Sequence, residues 1–162
     1  MRSDHVERTL GQSGIRMTET SVIEVVSRLH RVVAFTDERL DRMFSELGVK
    51  QGEAEVLMIL ASGSDQSQSP TGVASQLLCS TGAMTNRLDH LEAAGLIERR
   101  HDTKDRRAVL LSITAKGRKM ALRAIEARDA MGEELLPGLT MADRKTLVRL
   151  LRKMLVEFEH VE

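Results

Sequence analysis

Residues 98–112 read ERRHDTKDRRAVLLS, and the fold turns on them. Five Arg or Lys and two Asp fall within 99–107, although the whole chain balances 24 basic against 24 acidic residues. An apolar run, Ala108-Val109-Leu110-Leu111, follows at once. Charge gathered between two β-compatible segments, 96–101 and 108–113, predicts a two-stranded hairpin with its turn at 102–107.

The segment before the hairpin is a helix, 81–94. Met84, Leu88 and Leu91 fall on one face, and Gly95 stops it. Thr81 is the expected N-cap, its hydroxyl satisfying a free N–H of the first turn. The other face carries Thr81, Gly82, Thr85, Asn86, Asp89 and His90. A shorter helix, 71–78, precedes it across Cys79-Ser80, with Val73, Ala74, Leu77 and Leu78 inward. The centre of the chain is therefore a helix-turn-helix followed by a β-hairpin wing.

Outside this centre, 20–46 has apolar residues in steps of three and four and ends at Gly48, a long amphipathic helix. A second helix covers 52–61, and 62–70 is a flexible polar loop. Downstream, 115–136 reads as one long helix broken by Pro137-Gly138. Thr140 to Asp143 forms a capping box with Asp in place of the usual Glu. Leu147, Leu150, Leu151, Met154, Leu155 and Phe158 stripe a final helix. The expected class is mainly α with a small β-hairpin wing. Residues 1–18 form a mobile N-terminal arm, with room for a short helix. The winged helix-turn-helix lobe spans 48–114. The segments 19–47 and 115–162 form a helical dimerisation region, because apolar stripes at both ends of a small chain call for a second subunit.

The chain has 162 residues, enough for one domain with a core. It has three Phe and no Trp or Tyr, so that core is aliphatic. One cysteine, Cys79, excludes an intrachain disulfide and fits a reducing compartment. No apolar run approaches the ~18 residues of a membrane span, and the N-terminus lacks a secretory pattern, so a cytoplasmic protein is expected. His5, His30, His90, His101 and His160 share no ligand spacing with one another or with Cys79. No metal, cofactor or catalytic constellation is expected, and the protein is not read as an enzyme.

The residue types suit DNA. Asn86 can pair bidentately with adenine, Thr81 and Thr85 can meet bases, and Gly82 allows close approach. Lys104, Arg106 and Arg107 have the reach for phosphates or a narrow minor groove, with Asp105 steering the Arg107 guanidinium. Ser80 and Arg87 complete the expected DNA-contacting set. Two other readings stand beside this one. A charge run is ordinarily a solvated face. Neutral composition and five acids, Asp89, Glu92, Glu98, Asp102 and Asp105, also fit a winged-helix protein–protein adaptor without DNA binding. Cys79 reads as a small filler.

Two motifs carry a resemblance to the multiple-antibiotic-resistance regulator (MarR) family of bacterial transcription factors: STGAMTNRLDHLEAAGLIER, 80–99, and DTKDRRAVLLSITAKG, 102–117. The first resembles the family's recognition helix, the second its wing signature, with Lys104 in place of the first Arg. The resemblance spans about 20–160. It implies a homodimer, two lobes on a pseudo-palindromic operator, and recognition helices in successive major grooves. It also implies release of DNA by a small, often anionic aromatic effector. Glu55, Thr85, Arg87 and Arg99 are the ligand positions it suggests. A urate-responsive subgroup uses a Trp, an acid and two Arg. Arg87 and Arg99 match the two Arg and Glu55 stands for the acid, but this chain has no Trp. Peroxide-sensing relatives place their cysteine near the N-terminal helix, so Cys79 does not inherit that role.

Overall fold

The computed structural model describes residues 3–12, 21–63, 67–101, 105 and 108–160. The chain forms two compact units, Met1–Arg128 and Asp129–Glu162.

In the first unit, α1 (His5–Gln12) packs on α2 (Val22–Glu46). The N-terminal segment, expected as an arm, thus contains a helix that buries Val6. Asp4 ties it down, accepting from the Glu7 N–H at 2.9 Å and from Arg28 Nε at 2.8 Å. Those two hydrogen bonds, the Glu7 bond first, hold the Asp4 carboxyl below its usual 3.8. The Ser21 hydroxyl caps α2 by accepting from the Glu24 N–H. Gly48, at φ +82°, turns the chain after its last turn.

The helix α3 (Gln51–Ser62) follows, with Val56, Leu57 and Leu60 buried. Then come α4 (Pro70–Gln76) and α5 (Thr81–Ala93). Pro70 occupies the first turn of α4, where its missing N–H costs nothing. Ser80, not Thr81, is the N-cap of α5: its hydroxyl accepts from the Ala83 N–H at 3.3 Å, and Thr81 is the first helical residue. The turn before it holds a second departure from expectation. Leu78 is left-handed, at φ +48°, and 94% exposed. That backbone conformation swings the side chain away from the core that Val73 enters.

The strands β1 (Ile97–His101) and β2 (Val109–Ile113) pair antiparallel, Ile97 opposite Ile113 and Arg99 opposite Leu111. The polar loop before α4 joins them. Gln68 and Leu111 exchange both backbone hydrogen bonds, at 3.3 and 2.8 Å. A single polar residue between Ser67 and Ser69 carries no strand pattern, so this bridge was invisible to periodicity. The helix α6 (Ala115–Ala130) starts on Thr114, whose hydroxyl accepts from the Gly117 N–H at 3.0 Å. Met84, Leu88, Leu91, Ile97, Leu111 and Ala121 are all buried, so the helix-turn-helix, wing and α6 close one aliphatic core.

In the second unit, residues expected to extend α6 to 136 form a separate turn of helix, α7 (Gly132–Leu135). Gly132, a poor helix former, follows the break at Met131. Arg144 pairs with Glu133 at 2.6 Å. The helix α8 (Met141–Glu159) carries the expected capping box: Thr140 Oγ accepts from the Asp143 N–H, and Asp143 accepts from the Thr140 N–H. Large apolar residues remain exposed on α2, among them Val22, Val32, Val33 and Phe35. On α8 the exposed set includes Val148, Leu150, Leu155 and Phe158. No described helix is long and apolar enough to cross a membrane.

Candidate nucleic-acid interface

The fold divides α5 by face. Met84, Leu88 and Leu91 enter the core, which leaves Thr81, Gly82, Thr85 and Asn86 exposed along the N-terminal half. The Thr85 hydroxyl donates to the Thr81 carbonyl at 3.0 Å, an ordinary helix back-bond. Small hydrogen-bonding side chains at a capped helix start are the chemistry by which a helix reads base edges.

Arg87 does not share that face. Its guanidinium lies on α3: a β-carbon at Gly52 would fall 2.3 Å from Arg87 Cζ. Arg87 Nη1 is buried and has no hydrogen-bond partner among the described residues. One helical turn on, His90 Nδ1 meets Glu53 Oε1 at 3.1 Å. The other Glu53 oxygen accepts from the Lys50 N–H at 2.9 Å, closing the start of α3. Glu53 is thus a buried carboxylate that holds two elements at once. It was not among the residues expected at the site. Its signal in the sequence is an acid at the third position of α3, the place a capping box uses.

The other expected ligand positions are dispersed. The Glu55 carboxylate accepts from Gln51 Nε2 at 3.2 Å, and the same amide reaches Asp37 of α2. Arg99 reaches Asp89 at 2.6 Å and Glu92 at 3.3 Å, both on α5. Among the described residues, no hydrogen bond or ion pair joins Glu55, Thr85, Arg87 and Arg99 to one another.

At the wing, Arg100 pairs with Glu98 at 2.5 Å. The Asp105 carbonyl accepts from the Ala108 N–H at 2.9 Å, one residue before β2. Asp102, Lys104, Arg106 and Arg107 lie outside the described residues. Cys79 is half-buried at the turn between α4 and α5.

A helix-turn-helix whose second helix presents an uncovered polar face, joined to a two-stranded wing, is a winged helix-turn-helix, the fold of DNA-binding regulators. The sequence model of the MarR family matches residues 49–109, the lobe just described. The chain is similar to the HTH-type transcriptional regulator PecS of Dickeya dadantii, 28% identical over 131 residues, which are 80% of this chain and 79% of that protein. It is 29% identical to the HTH-type transcriptional repressor YetL of Bacillus subtilis over 61% of this chain and 53% of that protein. Among solved structures, the reduced form of MarR from E. coli superposes with a TM-score of 0.72 at 28% identity, covering 84% of this chain and 99% of that one. A mutant of E. coli MarR complexed with operator DNA superposes at 0.74 with 26% identity, over 86% and 99%. These relatives are transcriptional regulators, in keeping with the reading that the protein is not an enzyme.

Proposed function

We propose that the protein is a homodimeric, sequence-specific DNA-binding transcriptional repressor, released from a pseudo-palindromic operator by a small anionic aromatic effector. The α5 face of Ser80, Thr81, Gly82, Thr85 and Asn86 reads the major groove. Lys104, Arg106 and Arg107 reach phosphates or the minor groove, with Asp105 steadying the turn. The helical segments 19–47 and 115–162 carry the dimer contacts, and residues 1–18 flank them. Two lobes then meet successive major grooves about 34 Å apart.

One observation carries the DNA reading. The polar face of α5 is uncovered, while the acids beside it are neutralised from within the lobe. Of the five acids that favoured an adaptor, Asp89 and Glu92 pair with Arg99, and Glu98 pairs with Arg100. The surface left to a partner is polar and small at the helix start, as groove readers require. The solved operator complex of a relative supports the same reading. The exposed apolar residues of α2 and of α8 support a second copy as the partner. Effector binding rests on Arg87, whose buried and unpartnered Nη1 suits an anion.

The test is operator binding on the DNA upstream of the protein's own gene. Wild type binds with a steep salt dependence. Arg107→Ala loses affinity and flattens the slope without changing the dimer, because a cation is removed. Asn86→Ala loses discrimination between operator and random DNA. Equal binding of all three proteins to both DNAs rejects the reading. Light scattering on wild type and Leu155→Glu tests the dimer: a wild-type monomer rejects it. A thermal-shift screen of small aromatic acids, repeated with Arg87→Ala, tests the effector.

A further inference from the structure

The wing leaves α5 through Ala94-Gly95-Leu96, with Gly95 left-handed at φ +68°. So short a joint fixes where the wing starts but not the angle at which it departs. Two strand positions beyond Ile97, Arg99 reaches back across the joint. Its Nη2 donates to Asp89 Oδ1 at 2.6 Å, and its Nη1 lies 3.3 Å from Glu92 Oε2. Its backbone N–H points to Glu92 Oε1 at 3.4 Å. Asp89 and Glu92 are three apart on α5 and so share a face. The flat guanidinium fork offers donors to both in fixed directions, where a lysine ammonium is a single point charge on a flexible stem. Across the hairpin, Arg99 pairs with Leu111, and Leu111 is bridged on its far side by Gln68. One row of the sheet is therefore gripped from α5 at one end and from the α3–α4 connection at the other.

We propose that Arg99 is a positioning residue of the wing, holding it to the recognition helix by clamping Asp89 and Glu92, and not primarily an effector contact. The clamp sets the wing and the reading face of α5 in one rigid arrangement, so both enter neighbouring grooves without an ordering cost at binding. It also answers why a DNA-facing helix keeps two acids: they are the wing's anchor. An anionic effector that engages Arg99 has to displace both carboxylates, and it acts by unclasping the wing. This inference rests on the DNA-binding reading above.

The test compares Asp89→Asn with Glu92→Gln as a double variant, Arg99→Gln, Arg99→Lys and wild type. Removing two acids from a DNA-facing helix raises affinity if only charge matters. If the clamp positions the wing, the double variant loses affinity instead, by about tenfold, within the range of couplings between contacting residues. Hydroxyl-radical protection of the minor groove is lost while major-groove protection by α5 remains. Adding Arg99→Gln to the double variant costs little more, and Arg99→Lys keeps the charge without restoring the footprint. Tighter binding by the double variant, or full rescue by Arg99→Lys, overturns the proposal. Hydrogen exchange on the free protein separates this from the DNA reading. The amides of β1 and β2 exchange faster in the double variant and in Arg99→Gln alike. Unchanged exchange in both overturns the clamp even if no operator is found. An absent wild-type footprint with faster exchange in the variants rejects the DNA reading alone. Asp89 and Glu92 are about half exposed, at 52% and 42%, so the double variant leaves the core untouched.

Discussion

Gly117 of α6 lies against the carbonyl of Leu96, so closely that a β-carbon at 117 would sit 2.0 Å from that oxygen. The oxygen is backbone, and it is already engaged by the Thr114 N–H at 3.1 Å. It has no freedom to yield. Gly117→Ala therefore destabilises the protein by about 1–3 kcal/mol, the cost of overpacking a fixed site. Urea unfolding followed by circular dichroism measures this, and a midpoint equal to wild type contradicts it.

Gly52 makes the opposite case. A β-carbon there would fall 2.3 Å from Arg87 Cζ, the far end of a flexible side chain. Arg87 can swing out, and its unpartnered Nη1 regains water when it does. Alanine also favours a helix over glycine by about 1 kcal/mol. Gly52→Ala therefore raises the unfolding midpoint, through a gain of up to about 1 kcal/mol in unfolding free energy, while moving Arg87 from its seat. A lowered midpoint shows that Arg87 is held there by something stronger than packing.

Leu78 combines a left-handed backbone with near-complete exposure. A residue with a β-carbon costs about 1–2 kcal/mol in that conformation, and an exposed side chain returns nothing to the core. Leu78→Gly stabilises by up to about 1 kcal/mol once the extra unfolded-state freedom of glycine is subtracted. Thermal melts of the two proteins decide this. A lower melting temperature for the variant means that the Leu78 side chain finds cover in the assembled protein.

Asp143 gives a pH dependence with a definite sign. Hydrogen bonds from the Thr140 hydroxyl and then the Thr140 N–H hold its carboxyl below 3.8. A carboxyl depressed on folding stabilises the ionised form. Its contribution is complete above pH 3.8 and is lost as the pH falls through the lower native value. Helicity lost between pH 4 and pH 2 therefore has a component that Asp143→Asn removes (about pH 4 marks the ordinary Asp range). Identical acid titrations of both proteins contradict the capping role.

The centre of the fold was legible because its signals are local. Gly95 stops α5, Met84, Leu88 and Leu91 mark its buried face, and the charged turn divides two short strands. Ser80 and Thr81 are both good caps, and composition alone does not choose between them. What escaped the sequence depends on distant parts of the chain. Leu78 looked like a core residue until the turn rotated it outward. Glu53 is buried because His90 of α5 lies across it, 37 residues away in sequence. Arg87 and Arg99 were grouped by resemblance, yet the first leans on Gly52 and the second grips Asp89 and Glu92. Residue type told which side chains carry charge, and packing told where each charge is already used.

The bridge between Gln68 and Leu111 has a bearing on how the protein keeps to itself. A two-stranded hairpin offers two open edges, each a template for a strand of another chain. Here the outer edge of β2 is taken up at its middle residue by a connector too short to extend the sheet. The outer strand, β1, is five residues long and carries Glu98, Arg99 and Arg100 in succession. Short length, charge and a blocked edge are the devices by which exposed β-structure escapes edge-to-edge aggregation. A wing that stands in solvent whenever DNA is absent has need of all three.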